Sequence, residues 1–236
     1  MQHESDFMAR EADRAFAALR AGGVAIMPMD VGYSAIGGSY AALRRIFEAK
    51  RRQPTKYNAM IGDAELAREL FVLPDRGWDI FEAITLDDDL PLGVIGPCRM
   101  DHPILAAMEP EALAMSAKDG TLCMLTNAGP FHGAISRRSR EAGHALFGSS
   151  ANLSLAGTKF RAVDIEPEIR AIADVVIDHG LRKYWPYRAS STLLDLASIE
   201  VTRFGSSYEL IQDCLKRRFD IDLPDAPAPL KILEDT

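Results

Sequence analysis

The 236-residue chain predicts an α/β fold built as one large domain, and three observations point there. Helix-like and strand-like segments interleave from end to end, the pattern of a sheet covered by helices. Apolar residues make up 47% and charged residues 26%, ordinary globular proportions that exclude a chain disordered throughout. No internal repeat, low-complexity block or linker divides the sequence. Only the Pro-rich stretch 220–236 reads as an extended tail, appended to a domain over residues 1–219.

Taken in order, residues 5–21 read as a helix, with Ser5 as N-cap and Gly22-Gly23 as its stop. GVAIMP, residues 23–28, is a short apolar strand ended by Pro28. MDVGYSAIGG then reads as a loop, because Gly32, Gly37 and Gly38 give backbone freedom. Residues 40–51 are helical, and a polar loop through Pro54 follows. Helices are expected around 64–71, over 78–84 and along the apolar stretch 103–117. TLCMLT (121–126) and HALFG (144–148) read as strands. Glu166-Pro167 opens a helix over 167–173, with proline at a tolerated first-turn position. VVIDHG is a strand running into a turn, residues 191–196 and 199–204 are two further strands, and 206–218 is a closing helix.

Composition excludes several classes of function. No apolar run is long enough to span a bilayer, and the N-terminus mixes acids and bases without a signal core, so a cytoplasmic protein is expected. The three cysteines are far apart and the five histidines lack ligand spacing, so no zinc site is expected. A net charge of −7 argues against a surface coated for nucleic acid. The bases are nevertheless bunched. Arg44, Arg45, Lys50, Arg51, Arg52 and Lys56 form one group, Arg137, Arg138 and Arg140 a second, and Lys216–Arg218 a third. The third is explained as a solvated helix face, whereas the first two are candidates to line a local anion site.

Within the first group, Lys50 lies seven residues after Leu43, on the stripe that also carries Ile46 and Phe47. An unpaired charge on a core-facing stripe is costly. Either the chain snorkels past the helix end, or it is held at the mouth of a cleft to meet an anion. Arg52 could reach the same anion with its planar fork. GSSAN, residues 148–152, follows an apolar strand, and strand ends are where ligands collect in open α/β sheets. Its Ser150 and Asn152 are either phosphate-binding groups or turn formers. Ser190, Ser191 and Thr192, followed by Arg203 and Gly205, pose the same choice.

In order, these pieces resemble the YrdC/TsaC family, whose hallmark is a Lys-x-Arg and a later Ser-x-Asn. Here they read Lys50-Arg51-Arg52 and Ser150-Ala151-Asn152, and the likeness runs over about residues 10–218. It takes in GGVAIMPMDVGYSAIGG, SSANLSLAG, VVIDHG, SSTLLDL and RFG. The resemblance implies an open twisted sheet of mixed parallel and antiparallel strands, flanked by helices around a central basic cleft. It implies condensation of L-threonine, bicarbonate and ATP into threonylcarbamoyl-AMP with release of pyrophosphate, for modification of adenosine in tRNA, with Mg2+ accompanying the ATP. By resemblance Lys50 and Arg52 are catalytic and grip phosphate or carbamate. Asn58, Ser150, Asn152 and Arg203 bind the nucleotide, and Asp30, Tyr33 and Ser191 bind substrate.

The departures from that pattern gather at the amino-acid side. Met29 and Val31 replace two threonines, Asp63 a histidine, and Leu125 and Asn127 an arginine and a proline, while Gly96-Pro97 is all that remains of a Pro-Gly-Pro-x-Thr segment. A charge-assisted contact to a carboxylate contributes about 1.5–3 kcal/mol, so losing the arginine weakens an amino acid's hold roughly ten- to hundredfold. Arg99, Arg137 and Arg138 are candidates to replace it. Two alternatives therefore stand beside the synthase. One is a paralogue acting on another acceptor, a carbamoyl adenylate or another small acid; the other is a YciO-like protein that binds nucleotide or structured RNA without turnover.

Overall fold

The structure, a computed structural model, describes residues 2–52 and 56–226. Its helices are α1 (Gln2–Arg20), α2 (Tyr40–Ala49), α3 (Ala64–Leu70), α4 (Asp75–Glu82), α5 (Pro103–Ala106), α6 (Pro110–Ala114), α7 (Pro130–Glu141), α8 (Pro167–Ala171) and α9 (Tyr208–Phe219). Its strands are β1 (Val24–Met29), β2 (Gly32–Gly37), β3 (Ala59–Ile61), β4 (Leu92–Pro97), β5 (Ala117–Lys118), β6 (Thr121–Thr126), β7 (Phe147–Ser150), β8 (Val175–Val176), β9 (Leu193–Asp195) and β10 (Glu200–Arg203).

All ten described strands join one sheet, in the order β10-β9-β4-β6-β3-β7-β2-β1-β8, with β5 attached to β6. Pairs β1/β8, β3/β6 and β4/β9 are parallel and the rest antiparallel, so the sheet is open and mixed. Alternation along each strand sends side chains to two faces. Val24, Ile26, Met60, Met124 and Val94 point to one face, where α2, α3, α4, α8 and α9 add Ile46, Leu66, Phe81, Ile169 and Ile211. Ala25, Met27, Ile61 and Leu125 point to the other, which α1 and α7 cover with Ala15, Leu19, Phe131 and Ile135. Only the first face is fully covered by helices. Towards β9 the second face opens into the cavity described below.

Several expected elements differ, each for a physical reason. GYSAIG is strand β2 rather than a loop, paired with β1 from Val24↔Gly37 to Met29↔Gly32. The turn between them is so short that Pro28 stays inside β1. Opposite it, Tyr33 gives its N–H to Lys159 (2.8 Å) and takes a bond from the Ala151 N–H (2.7 Å), both directed away from β1. Proline's missing donor is therefore not needed at that position. Gly32 has φ 112°, and a Cβ there would stand 2.3 Å from Thr158, so this glycine lets segment 154–159 lie against the hairpin. The stretch 103–117 is not one helix: Pro110 lacks an N–H and splits it into α5 and α6, each opened by proline. Strands β3 and β4 and helix α7 were not marked by the sequence pattern. Pro54 and residues 227–236 of the tail lie outside the described residues. The start of the tail packs on α9, where Leu223 is buried and its carbonyl accepts from Gln212 (3.1 Å).

Candidate functional site

A cavity of about 470 Å³ lies over the open part of the second sheet face. Its floor is made of alternate residues of neighbouring strands: Ser34 and Ile36 of β2, Ala59 and Ile61 of β3, Cys123 and Leu125 of β6, Gly93 of β4 and Leu193 of β9. Its walls are the chain leaving α2, the chain leaving β7 and the entry to β9.

Helix α2 begins at Ser39, whose hydroxyl caps the Ala42 N–H (3.2 Å), and buries Leu43 and Ile46. That orientation carries Lys50, the residue closing the helix, inward, and it is only 4% exposed. Its ammonium donates to the Asn152 carbonyl (2.6 Å) and to the Ser150 carbonyl. In return the Ser154 N–H donates to the Lys50 carbonyl (3.1 Å), so the helix exit and the strand exit are fastened to each other. An ammonium has three donors, and among the described residues the third has no protein acceptor. Arg52 donates to the Tyr57 carbonyl, while its Nε is buried with no partner. From the opposite wall Arg203 grips the Ser191 carbonyl (3.1 and 2.7 Å) and the Ser191 hydroxyl (3.3 Å). Ser149 Oγ and Asn152 Oδ1 are also buried and unpartnered, and both residues line the cavity.

The electrostatics follow from burial. The Lys50 ammonium is lowered from 10.5 to about 7, first by burial and then by the charge of Arg52. Arg52 is lowered by burial and next by Arg203, and Arg203 by burial. The Cys123 thiol, beneath both guanidiniums, is pushed up to about 11 by burial, against their opposing pull. Glu166, the acid that Lys50 senses, is already paired with Lys159 (2.8 Å). Among the described residues no carboxylate lines this cavity. Buried cations without counter-charge are costly, and an incoming anion relieves that cost. Without a carboxylate the lining residues do not by themselves make a magnesium site, though their hydroxyl and amide oxygens could contact an ion carried by phosphates.

Lys50, Arg52, Ser150, Asn152, Ser191 and Arg203 therefore line one cavity. Lys50 does not snorkel to solvent. Three expected site residues lie elsewhere. Asn58 is 2% exposed, adjacent to the lining residues Tyr57 and Ala59 but turned away to the Met115 carbonyl (3.3 Å), because strand alternation reverses it. Tyr33, fully buried, donates to Asp178 (2.8 Å) and the Gly180 carbonyl (2.9 Å). Asp30 is paired with Arg182 (2.9 Å). Both fasten the β1–β2 turn to the segment after β8 and do not line the cavity. None of the candidate replacement arginines reaches it either. Arg99 holds the Glu69 carbonyl (2.7 Å), Arg138 pairs with Asp13 (2.6 Å), and Arg137 is exposed. Sequence reading missed Cys123, Tyr57 and Leu155 as lining residues. The alternation in TLCMLT, with Cys123 and Leu125 on one side, was the available signal for the first.

Residues 17–205 match the Sua5/YciO/YrdC family model, described as telomere recombination. The chain belongs to this family. No curated protein matches it. Among solved structures it is similar to a hypothetical protein from Streptococcus mutans UA159, with 21% identity and a TM-score of 0.72, covering 89% of this chain and 92% of that one. P. abyssi Sua5 complexed with L-threonine is 17% identical with a TM-score of 0.67, over 96% of this chain and 63% of that one, so the chain spans under two-thirds of that protein's length. E. coli YciO is 16% identical with a TM-score of 0.63, over 84% of this chain and 89% of that one. These likenesses establish the fold of a Sua5/YciO/YrdC domain. Among the described residues no helix is long and apolar enough to cross a membrane.

Proposed function

We propose that this Sua5/YciO/YrdC-family chain is an ATP-dependent nucleotidyltransferase that condenses L-threonine, bicarbonate and ATP into threonylcarbamoyl-AMP, releasing pyrophosphate, in service of tRNA adenosine modification. The observation that carries this reading is the convergence of three cations, buried Lys50, half-buried Arg52 and Arg203 on the opposite wall, on one cavity without a carboxylate among its described lining residues. Breaking the bond between the α- and β-phosphates puts charge on the leaving pyrophosphate, and fixed cations lower that barrier without reorganising. The third Lys50 donor and the unpartnered Arg52 Nε are free to take phosphate oxygens. Ser149 and Asn152 supply uncharged polar atoms at the same strand exit. The binding of L-threonine by P. abyssi Sua5 supports threonine as the first acceptor to test.

One observation favours a second reading, another acceptor on the same nucleotide site. The two β6 residues facing the cavity are Cys123 and Leu125, so whichever matches the family's arginine position, no guanidinium stands there. An acceptor gripped by its carboxylate would lack that partner on the floor.

The test is pyrophosphate release by purified protein given ATP, magnesium and bicarbonate, with and without threonine. Threonine-dependent release is the expected result. Release indifferent to threonine moves the assignment to the second reading, and nucleotide binding without release refutes transferase activity and leaves a YciO-like binding protein.

A further inference from the structure

A second cavity, which shares no lining residue with the cationic one, lies at the carboxyl ends of β3 and β6. These two strands are neighbours and run parallel, with Met60 opposite Met124 and Ile61 opposite Leu125. The helices that follow them part: α3 packs Leu66 on the first sheet face, and α7 packs Phe131 and Ile135 on the second. Such a divergence opens a crevice outside the strand ends, the place where open α/β sheets collect ligands. Here it holds about 200 Å³, room for roughly six or seven water-sized groups. Residues Ala83–Asp87 prolong α4 as a π-helix and supply Thr85 and Leu86 to its wall, and such wide turns are frequent at functional sites.

The polar side chains lining this crevice already direct their donors at the protein. Thr85 gives its hydroxyl hydrogen to the Phe81 carbonyl (2.7 Å), and Thr126 to the Leu92 carbonyl (3.0 Å). The Asn127 amide nitrogen donates to the Thr85 carbonyl (3.0 Å) and to Asp89 (2.9 Å). His132, 1% exposed, meets the Leu125 carbonyl through Nε2 (2.9 Å). A carbonyl only accepts, and burial holds the ring neutral by lowering its pKa to about 4, so Nε2 carries the hydrogen. Nδ1 keeps a lone pair and, among the described residues, has no partner. Asp63 adds a carboxylate, and Arg140 is divided between it (3.2 Å) and Glu65, so this cluster stays net negative. The positive end of α7 is taken by Asp30, whose carboxylate a Cβ on Gly129 would approach to 2.4 Å.

We propose that this crevice binds a small primary amine as its ammonium, which donates to His132 Nδ1, the Asp63 carboxylate and the Asn127 amide oxygen, with a short apolar chain against Phe81 and Leu86. The site is independent of the nucleotide reading given above. An anion finds no partner here, because no lysine or arginine is among the described lining residues. A bare metal ion is also unsuited, since among the described residues no three His, Cys, Asp or Glu side chains are grouped to hold one.

The experiment is a titration of the isotope-labelled full chain with n-butylamine near neutral pH, followed by amide NMR, with n-butanol and butanoate as controls of matching size. Butylammonium is expected to shift the amides of Asn127 and His132 saturably, at least about tenfold more tightly than either control. Gly133 lines the crevice, and an added Cβ there meets nothing within 4 Å, so Gly133→Leu extends into the open space and should abolish binding. Asp63→Asn keeps the α3 cap, which asparagine makes as well as aspartate, and should weaken butylammonium about tenfold. Equal affinity for butanol or butanoate, shifts that do not saturate, or butylammonium affinity unchanged by Asp63→Asn overturns the proposal.

Discussion

Two sets of basic side chains look alike in the sequence and differ in the fold. Arg138, Arg140, Arg217 and Arg218 lie on α7 and α9, and each has met an acid: Arg138 with Asp13 at 2.6 Å, Arg140 with Asp63 at 3.2 Å, Arg217 with Asp213 at 2.7 Å and Arg218 with Asp87 at 2.5 Å. Lys50 is buried, Arg52 half-buried and Arg203 exposed on the cavity wall, yet all three bond only to carbonyls and a hydroxyl. In water-exposed pairs the charge is neutralised locally and contributes little. In the cavity it is left open to a ligand. The proposed anion site is thus the place where the fold keeps its own acids away from its bases.

The largest expected contrast is in binding. Lys50→Ala and Arg52→Ala should each weaken ATP and tripolyphosphate at least about tenfold, in line with the loss of a charge-assisted contact, with the fold intact. Arg138→Ala, measured by the same titration, should stay within about twofold. Equal losses in the two sets would erase the distinction.

A smaller effect follows from Lys50, lowered to about 7 by burial and then by Arg52. Ligand anions bind the charged ammonium, so tripolyphosphate affinity should fall as pH rises above about 7, by at most about tenfold per unit. Stability runs the other way. Between about 7 and 10.5 the unfolded chain holds a proton that the folded, ligand-free chain does not, so this group makes the fold more stable as pH rises through that window. Affinity that is flat from pH 7.5 to 9.5 would remove Lys50 from the phosphate contact.

The least effect on binding is expected at Arg182, a basic residue whose acid partner is within reach. It joins Asp30 (2.9 Å) and the carbonyls of His179 (3.0 Å) and Met29 (3.2 Å). Arg182→Ala should cost about 2 kcal/mol of stability in urea denaturation and leave ATP affinity within about twofold. A loss of affinity without a loss of stability would place this cluster in the site.

This pairing also marks the limit of what the sequence disclosed. Lys50 on an apolar stripe and Ser150 and Asn152 at a strand exit could be read directly, because helical spacing and strand ends are local properties. Whether Asp30 and Tyr33 face a ligand or a neighbouring segment depends on Asp178 and Arg182, about 150 residues away, and no local pattern carries that. The strand β2 was hidden by the glycines at 32, 37 and 38, which read as loop although the first two fall within β2, a strand paired with β1 on one edge and β7 on the other. Strands β3 and β4 were hidden because short buried strands lack polar alternation. Helix α7 began at Gly129-Pro130, a legible start, but its buried face is interrupted by Ser136 and Ser139.

The most direct test is to follow the side-chain carbon next to the Lys50 amine by NMR through a pH titration, with and without tripolyphosphate, using Lys50→Arg for assignment. The account predicts titration near 7 in the free protein and a clear upward shift when the anion binds. Titration alongside the surface lysines, unmoved by the anion, would contradict it.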